Sequence, residues 1–226
     1  MPLIIFLPIG AFFITILVGF FSVLVYNILV PKLGGLKLEF DGDVVKKIPV
    51  ISFALIISAI TAIWAFIMGL VLAAVITPMY SLISTMPDNN ITSAAGVNLP
   101  SGSGFEAIFI VALIIGLPIL VFVFGFIYSA IIAILYNYVV SRVAKISLKF
   151  EAINRDLNEL KNIPLLQNAL VIGLMSAIIG IIHSIIFQNY TEFIYNFVIY
   201  FAVVALMAYI YNFLAPKIGS IKVKLE

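Results

Sequence analysis

Residues 26–40 read YNILVPKLGGLKLEF, and the same fifteen-residue pattern returns at 136–150 as YNYVVSRVAKISLKF and at 211–225 as YNFLAPKIGSIKVKL. Each copy opens on a pair at the end of a long apolar segment: Tyr26-Asn27, Tyr136-Asn137 or Tyr211-Asn212. A basic joint follows, and an alternating run begins nine residues after the Asn. Copies one and three share seven of fifteen residues, including the Pro, two Lys and the first glycine of the Gly34-Gly35 pair. The middle copy shares five with the first and lacks the Pro and both Gly. A repeat at fixed spacing identifies the building unit of a chain, so the rest is read outward from it.

The apolar segments are about 3–30, 50–79, 106–139, 165–187 and 191–214, and their only charged residues are Glu106 and Glu192, each at the start of its segment. About 20 such residues suffice for a helix to cross a bilayer. Of the 226 residues, 64% are hydrophobic and 10% charged, with a mean hydropathy of +1.27. A soluble domain carries about 25% charged residues, and a water-facing surface cannot be built from the shortage here. These features predict an all-α polytopic membrane protein with five transmembrane helices. The third segment exceeds thirty residues, which implies tilt or projection beyond the hydrocarbon. Pro118 beside Gly116 predicts a kink in it. The start, MPLIIFLPIGAFF, has no basic n-region or small-residue cleavage site and reads as a retained helix. With no cysteine, disulfides, thiol chemistry and cysteine-ligated metals are excluded. A net charge of +2 gives no reason to expect nucleic acid.

All twelve basic residues lie in 31–49, 140–164 or the tail after 214, and none lies in 80–105 or 188–190. Positive residues mark the cytoplasmic side. The expected topology in the cell membrane therefore has the N-terminus outside and the C-terminus inside. The outer loop 80–105, rich in Ser, Gly, Asn and Pro, reads as an irregular connection. It contains the glycan-acceptor pattern Asn90-Ile91-Thr92, and Asn189-Tyr190-Thr191 is a second. Asn189 abuts an apolar segment, so Asn90 is the better candidate.

After each of the first two alternating runs the chain re-enters an apolar segment at an Ile-Pro pair, Ile48-Pro49 and Ile163-Pro164. Proline suits the first turn of a helix, where its missing N–H costs nothing. The single membrane domain 1–226 thus divides into a half unit, 1–40, and two full units, 46–151 and 161–226. Each full unit has two spans, which predicts parallel repeats in a 2+2+1 arrangement. The link EAINRDLNELKN has the composition and charge spacing of a short exposed helix. In the alternating runs, Leu36, Leu38 and Phe40 oppose Lys37 and Glu39; Ile146, Leu148 and Phe150 oppose Ser147 and Lys149; Ile221, Val223 and Leu225 oppose Lys222 and Lys224. Period two with one polar face is a half-buried strand signal. It predicts a three-stranded cytoplasmic sheet of the three runs; the alternative is extended segments lying among headgroups. Gly116, Gly125, Gly173 and Gly180 read as helix-packing positions.

Ionisable groups inside spans are costly and mark pumps and membrane enzymes, and here the span interiors have no Asp, Glu, Lys or Arg. His183 is the only histidine, too few for a bis-histidine haem or a multi-histidine metal site. With Glu106 and Glu192 it forms a candidate outer-face polar cluster, although both acids also suit helix starts. No P-loop, HExxH or GxSxG pattern occurs. The Tyr-Asn pairs read as structural joints between helix and strand. The expectation is a non-enzymatic, cofactor-free scaffold or accessory subunit, whose partners are the lipid bilayer and a protein partner or second copy. The alternative is a channel or facilitator along Thr15, Ser22, Ser52, Ser58, Thr61 and Ser176.

The order Tyr-Asn, basic joint, Gly-Gly, then an alternating apolar run resembles the end of an actinobacterial transmembrane domain family of unknown function. That resemblance implies units of two helices around a polar outer loop, and no catalytic residue. The Gly-Gly followed by a re-entering Pro is also similar to the Yip1 superfamily of five-span proteins, which implies a role in trafficking or membrane organisation.

Overall fold

The computed structural model describes residues 2–84, 103–154, 157–188 and 190–223, with backbone alone for 2–6, 8, 80–84 and 103–106. Most of the loop 80–105, including Asn90, lies outside the described residues, as do Asn189 and the side chain of Glu106. In chain order the elements are α1 (Pro2–Leu33), β1 (Glu39–Asp41), β2 (Val44–Lys47), α2 (Val50–Ser84) and α3 (Ser103–Val111). A π-helical turn, Ala112–Gly116, leads into α4 (Leu117–Tyr138), and a 3₁₀ turn, Val140–Arg142, follows. Then come β3 (Lys149–Asn154), β4 (Leu157–Asn162), α5 (Leu165–Phe187), α6 (Glu192–Ile218) and β5 (Lys222–Val223).

Among the described residues, five helical stretches are long and apolar enough to cross a membrane: Ile9–Leu33, Val50–Met79, Ala107–Arg142, Leu165–Phe187 and Glu192–Ile218. Each overlies one of the apolar segments read from the sequence. Even the best-covered of the five has only 28% of its most apolar window buried, so most of their Leu, Ile and Phe side chains face outward. Helices apolar on every side need apolar surroundings. The chain forms two compact units, Met1–Gly35 with Ala54–Ser129 and Leu36–Phe53 with Ala130–Glu226.

In the first unit small residues bring helices close. A methyl group on Gly69 would meet the carbonyl oxygen of Leu113 at 2.3 Å, and one on Gly125 would lie 3.3 Å from Thr61 Oγ1. The expected kink at Pro118 takes the form of the π turn just before it. Proline lacks the N–H for the carbonyl four residues back and its ring crowds that carbonyl; the wider turn opens the ladder there. Gly116 is a correction, because an added methyl would meet only Ala112 of the same turn, at 3.9 Å. That glycine belongs to the bulge and packs against no other helix.

The chain's single tryptophan, Trp64, donates its Nε1–H to Ser22 Oγ at 3.0 Å, and Phe21 meets its ring edge-on. Ser22→Ala leaves the indole N–H without this acceptor. The expected cost is about 1 kcal/mol, in line with side-chain hydrogen bonds between apolar helices. A shift in Trp64 emission together with a lowered thermal midpoint checks it.

In the second unit a core of Val45, Ile48, Ala133, Tyr136, Val140, Val171 and Met175 packs against Leu38, Phe40 and Ile146. The sheet expectation needs correction. The three alternating runs do not pair with one another; each pairs with a polar link. β1 folds back on β2 with Phe40 opposite Val45, and β3 folds back on β4 with Phe150 opposite Leu160. The other edge of β2 takes the middle run, Val45 N–H to Ile146 O and Leu148 N–H to Asp43 O, both 2.8 Å. The other edge of β4 takes β5. Run and link therefore alternate, in a two-stranded sheet β1-β2 and a three-stranded sheet β3-β4-β5. A cause lies at Gly42-Asp43, where Gly42 has a φ of +60° and the two-residue turn between the paired Asp41 and Val44 reverses the chain at once.

The link 151–162 is also a correction: its described residues continue β3 and form β4, with no helix. Leu160 is buried opposite Phe150, and its backbone donates to Ile221 O at 2.9 Å and accepts from the Tyr211 hydroxyl; tertiary pairing of this kind overrides local composition. Leu36, Leu38 and Phe40 are half-buried while Lys37 and Glu39 are exposed, as the alternation predicts. Ser147 departs from it and is buried. Along α5 and α6, an added methyl would lie 3.1 Å from Phe197 at Gly173 and 2.7 Å from the Phe193 Cα at Gly180. Both are the packing positions the sequence suggested.

Candidate functional site

The joint is built from side-chain amides and hydroxyls on helix ends gripping extended backbone. Tyr136 sits in the last turns of α4, fully buried. Its hydroxyl donates to the carbonyl of Val45 and accepts the N–H of Ile146 at 3.2 Å. Asn137 accepts the N–H of Ile48 at Oδ1 and donates from Nδ2 to the carbonyl of the same residue, both at 2.8 Å. A carboxamide carries an acceptor and a donor side by side, so one Asn satisfies both backbone groups of one extended residue.

The third copy repeats this bond for bond. Tyr211 donates to Leu160 O at 2.6 Å and accepts from Ile221 N–H at 3.2 Å. Asn212 clips the N–H and carbonyl of Ile163, both at 2.8 Å. In each clip the Tyr holds a residue three positions before the one the Asn holds, and the latter precedes Pro49 or Pro164. Ile48 and Ile163 lie at corners where a strand has ended and a helix has not begun. Backbone groups at such corners lack regular partners and need them supplied. Phe40 and Phe150 meet edge-to-face, 5.9 Å apart, over the paired links.

Tyr26 and Asn27, read from sequence as the same joint, differ. Tyr26 is half-buried and Asn27 exposed on α1, and neither has a hydrogen-bond partner among the described residues. Gly34 (φ +84°), Gly35 (φ +73°) and Gly219 (φ +103°) turn the chain out of the helix in copies one and three through a backbone region that glycine alone enters freely. The middle copy lacks both Gly and Pro and leaves by the 3₁₀ turn, where Ser141 Oγ donates to Asn137 O at 2.9 Å.

The sequence reading missed a third amide clip. Asn168, buried in the second turn of α5, accepts Ser147 N–H at 2.8 Å and donates to Ser147 O at 2.7 Å. This explains why Ser147 is buried. Beside it Gln167 Nε2 donates to Lys145 O at 2.8 Å. The available signal was the amide pair Gln167-Asn168 at the head of an otherwise apolar helix. An open cavity of about 550 Å³ lies here, lined among others by Ser141, Arg142, Lys145, Leu166 and Gln167.

On the hairpin, Lys161 bridges Glu151 at 3.3 Å and Glu159 at 3.4 Å; such exposed pairs add little stability. The Ser220 hydroxyl donates to Glu159. That bond, with the charges of Lys161 and Lys222, holds the Glu159 carboxyl below the usual glutamate range against partial desolvation. The Lys161 ammonium is pushed up, first by its hydrogen bond to Glu151 and then by both carboxylates. A lowered carboxyl favours folding above its ordinary value, and the contribution fades as pH falls through the lowered value; a raised ammonium does so below its ordinary value and fades in strong base. The cluster is therefore fully formed around neutrality. Ser220→Ala should move the Glu159 titration up toward the ordinary range, read from the ¹³C shift of its carboxylate.

Of the polar cluster expected from His183, Glu106 and Glu192, His183 Nδ1 lies 3.2 Å from Glu192 Oε1, and Glu192 occupies the first turn of α6. A carboxylate is favoured there by the helix dipole. Among the described residues no three His, Cys, Asp or Glu side chains are grouped to hold a metal. Three of the hydroxyls read as a weakly polar path are engaged by their own helices: Thr15 donates to Ala11 O, Ser58 to Leu55 O, and Thr61 to Ile57 O and Ser58 O. Compared with protein-family models, curated proteins and solved structures, the chain matches none.

Proposed function

We propose that this is a five-span membrane protein whose strand-bearing side is cytoplasmic and serves as a scaffold, an accessory surface on which a membrane complex assembles. The observation that carries the reading is the clip built twice with the same four bonds, Tyr136-Asn137 on the first link and Tyr211-Asn212 on the second. It holds a lysine-bearing strand platform at the ends of apolar helices through hydrogen bonds to the platform's backbone. The concentration of all twelve basic residues in 31–49, 140–164 and the tail supports the cytoplasmic placement. The repetition of helix, Tyr-Asn, run, link and Ile-Pro supports parallel units in a 2+2+1 order.

The chain's lack of cysteine makes topology directly measurable. In intact cells a membrane-impermeant maleimide should label Tyr190→Cys and spare Lys37→Cys; the reverse pattern would invert the topology. Crosslinking in native membranes should trap a protein neighbour. A partner-free monomer with no crosslinked neighbour would sink the scaffold reading. Solute flux in proteoliposomes that bulky residues at Ser58 and Thr61 abolish would replace it with a channel.

A further inference from the structure

Two of the three Tyr-Asn pairs that open the fifteen-residue repeat hold the same kind of occupant. The gripped segments are Val45-Lys46-Lys47-Ile48-Pro49 and Leu160-Lys161-Asn162-Ile163-Pro164, which share the form apolar-Lys-x-Ile-Pro. The bonds run to backbone groups of the apolar residue and the Ile. Both Lys side chains point out and are exposed, and the Pro starts the next helix. Recognition is thus a matter of extended backbone, one apolar side chain and a proline-terminated corner, the strand-addition mode of binding.

Tyr26-Asn27 carries the same two side chains, in the same order, ahead of the same kind of joint and run. Yet its hydroxyl and carboxamide have no partner among the described residues. On a helix otherwise lined with Phe, Leu and Ile, free polar groups of this kind are costly unless something satisfies them. We propose that Tyr26-Asn27 is a docking clip for a partner protein. Its ligand is an extended apolar-Lys-x-Ile-Pro segment leading into the partner's own apolar helix. This rests on the scaffold reading and says where the partner is held. The occupant is a different chain and not a second copy, because both segments of that form here are already gripped by their own chain. An intramolecular clip has the advantage in effective concentration over any exchange.

The test places benzoylphenylalanine at Ile28, exposed on α1 beside the pair, irradiates native membranes and sequences the crosslinked peptide. The expected adduct is a peptide of another protein containing apolar-Lys-x-Ile-Pro. Its yield should fall about tenfold or more in Tyr26→Phe/Asn27→Leu, the loss expected of a few hydrogen bonds. That double variant should keep the wild-type thermal midpoint. A drop as large as that of Asn212→Leu would make the pair an internal support and overturn the proposal. Adducts only with lipid, with peptides lacking the pattern, or unaffected by the double variant would also overturn it. Capture of residues 45–49 or 160–164 of a second copy would overturn the assignment to a partner. A second probe at Glu151 on the hairpin separates the two readings. Protein adducts there and none at Ile28 would remove the clip and leave the scaffold; none at either position would remove both.

Discussion

Asn137→Leu and Asn212→Leu each lower folding stability by about 2–4 kcal/mol, while Asn27→Leu leaves it unchanged. Each of the first two removes a carboxamide that satisfies both backbone groups of one residue, Ile48 or Ile163. An orphaned buried donor or acceptor costs about 1–3 kcal/mol, and leucine supplies no replacement. The corners are only partly buried, so water recovers some of the loss and the sum falls in the lower half of the roughly 2–6 kcal/mol that two orphaned groups would cost. Asp at either position retains the acceptor but loses the donor, and sets a carboxylate against the Ile carbonyl. It should be no better than Leu. Thermal unfolding in detergent measures the loss, and faster amide exchange at Ile48 or Ile163 localises it. Equal effects at all three Asn positions would mean that the first pair has an internal partner.

The second large effect is steric. Gly69→Leu is expected to cost about 3 kcal/mol, at the upper end of what overpacking usually does. Its Cβ would stand 2.3 Å from the Leu113 carbonyl oxygen. That atom is backbone, held in the bulge ahead of Pro118, and no change of rotamer moves it aside. The gain in helix propensity on replacing a glycine, about 1 kcal/mol at most, does not offset it. Gly116→Ala provides the contrast, since the added methyl reaches only its own turn, and should stay within about 0.5 kcal/mol of wild type. Paired melting curves of the two variants decide the matter.

The five apolar helices were legible because length and lack of charge suffice to define them. The joint was legible because Tyr and Asn recur at one spacing. The strand partners were not. A period-two run says that one face is buried and nothing about which neighbour it meets, and Val44-Val45-Lys46-Lys47 does not itself alternate. The Gly42-Asp43 turn, led by a glycine, is the local sign of a hairpin that joins the first run to its link. In the second link, Leu157 and Leu160 stand three apart amid charges, which mimics a helical face. The hydroxyl of Tyr211 and the strand β5 pull that segment into an extended form from 51 residues or more away. Asn168 was missed for a related reason, since its role exists only once Ser147 is brought against it.

The clips also impose an order on biogenesis. The first link cannot be fastened until Asn137 has been made, 89 residues after Ile48, whereas the second waits only 49 residues for Asn212. At translation speeds of about 5–20 residues per second, the first link stays open for roughly 4–18 s and the second for about half as long. Through that interval β1 and β2 form a lone hairpin, with an edge to which other strands can add. A nascent chain stalled before Tyr136 would expose that edge to membrane chaperones, and one stalled after Ile146 would hide it.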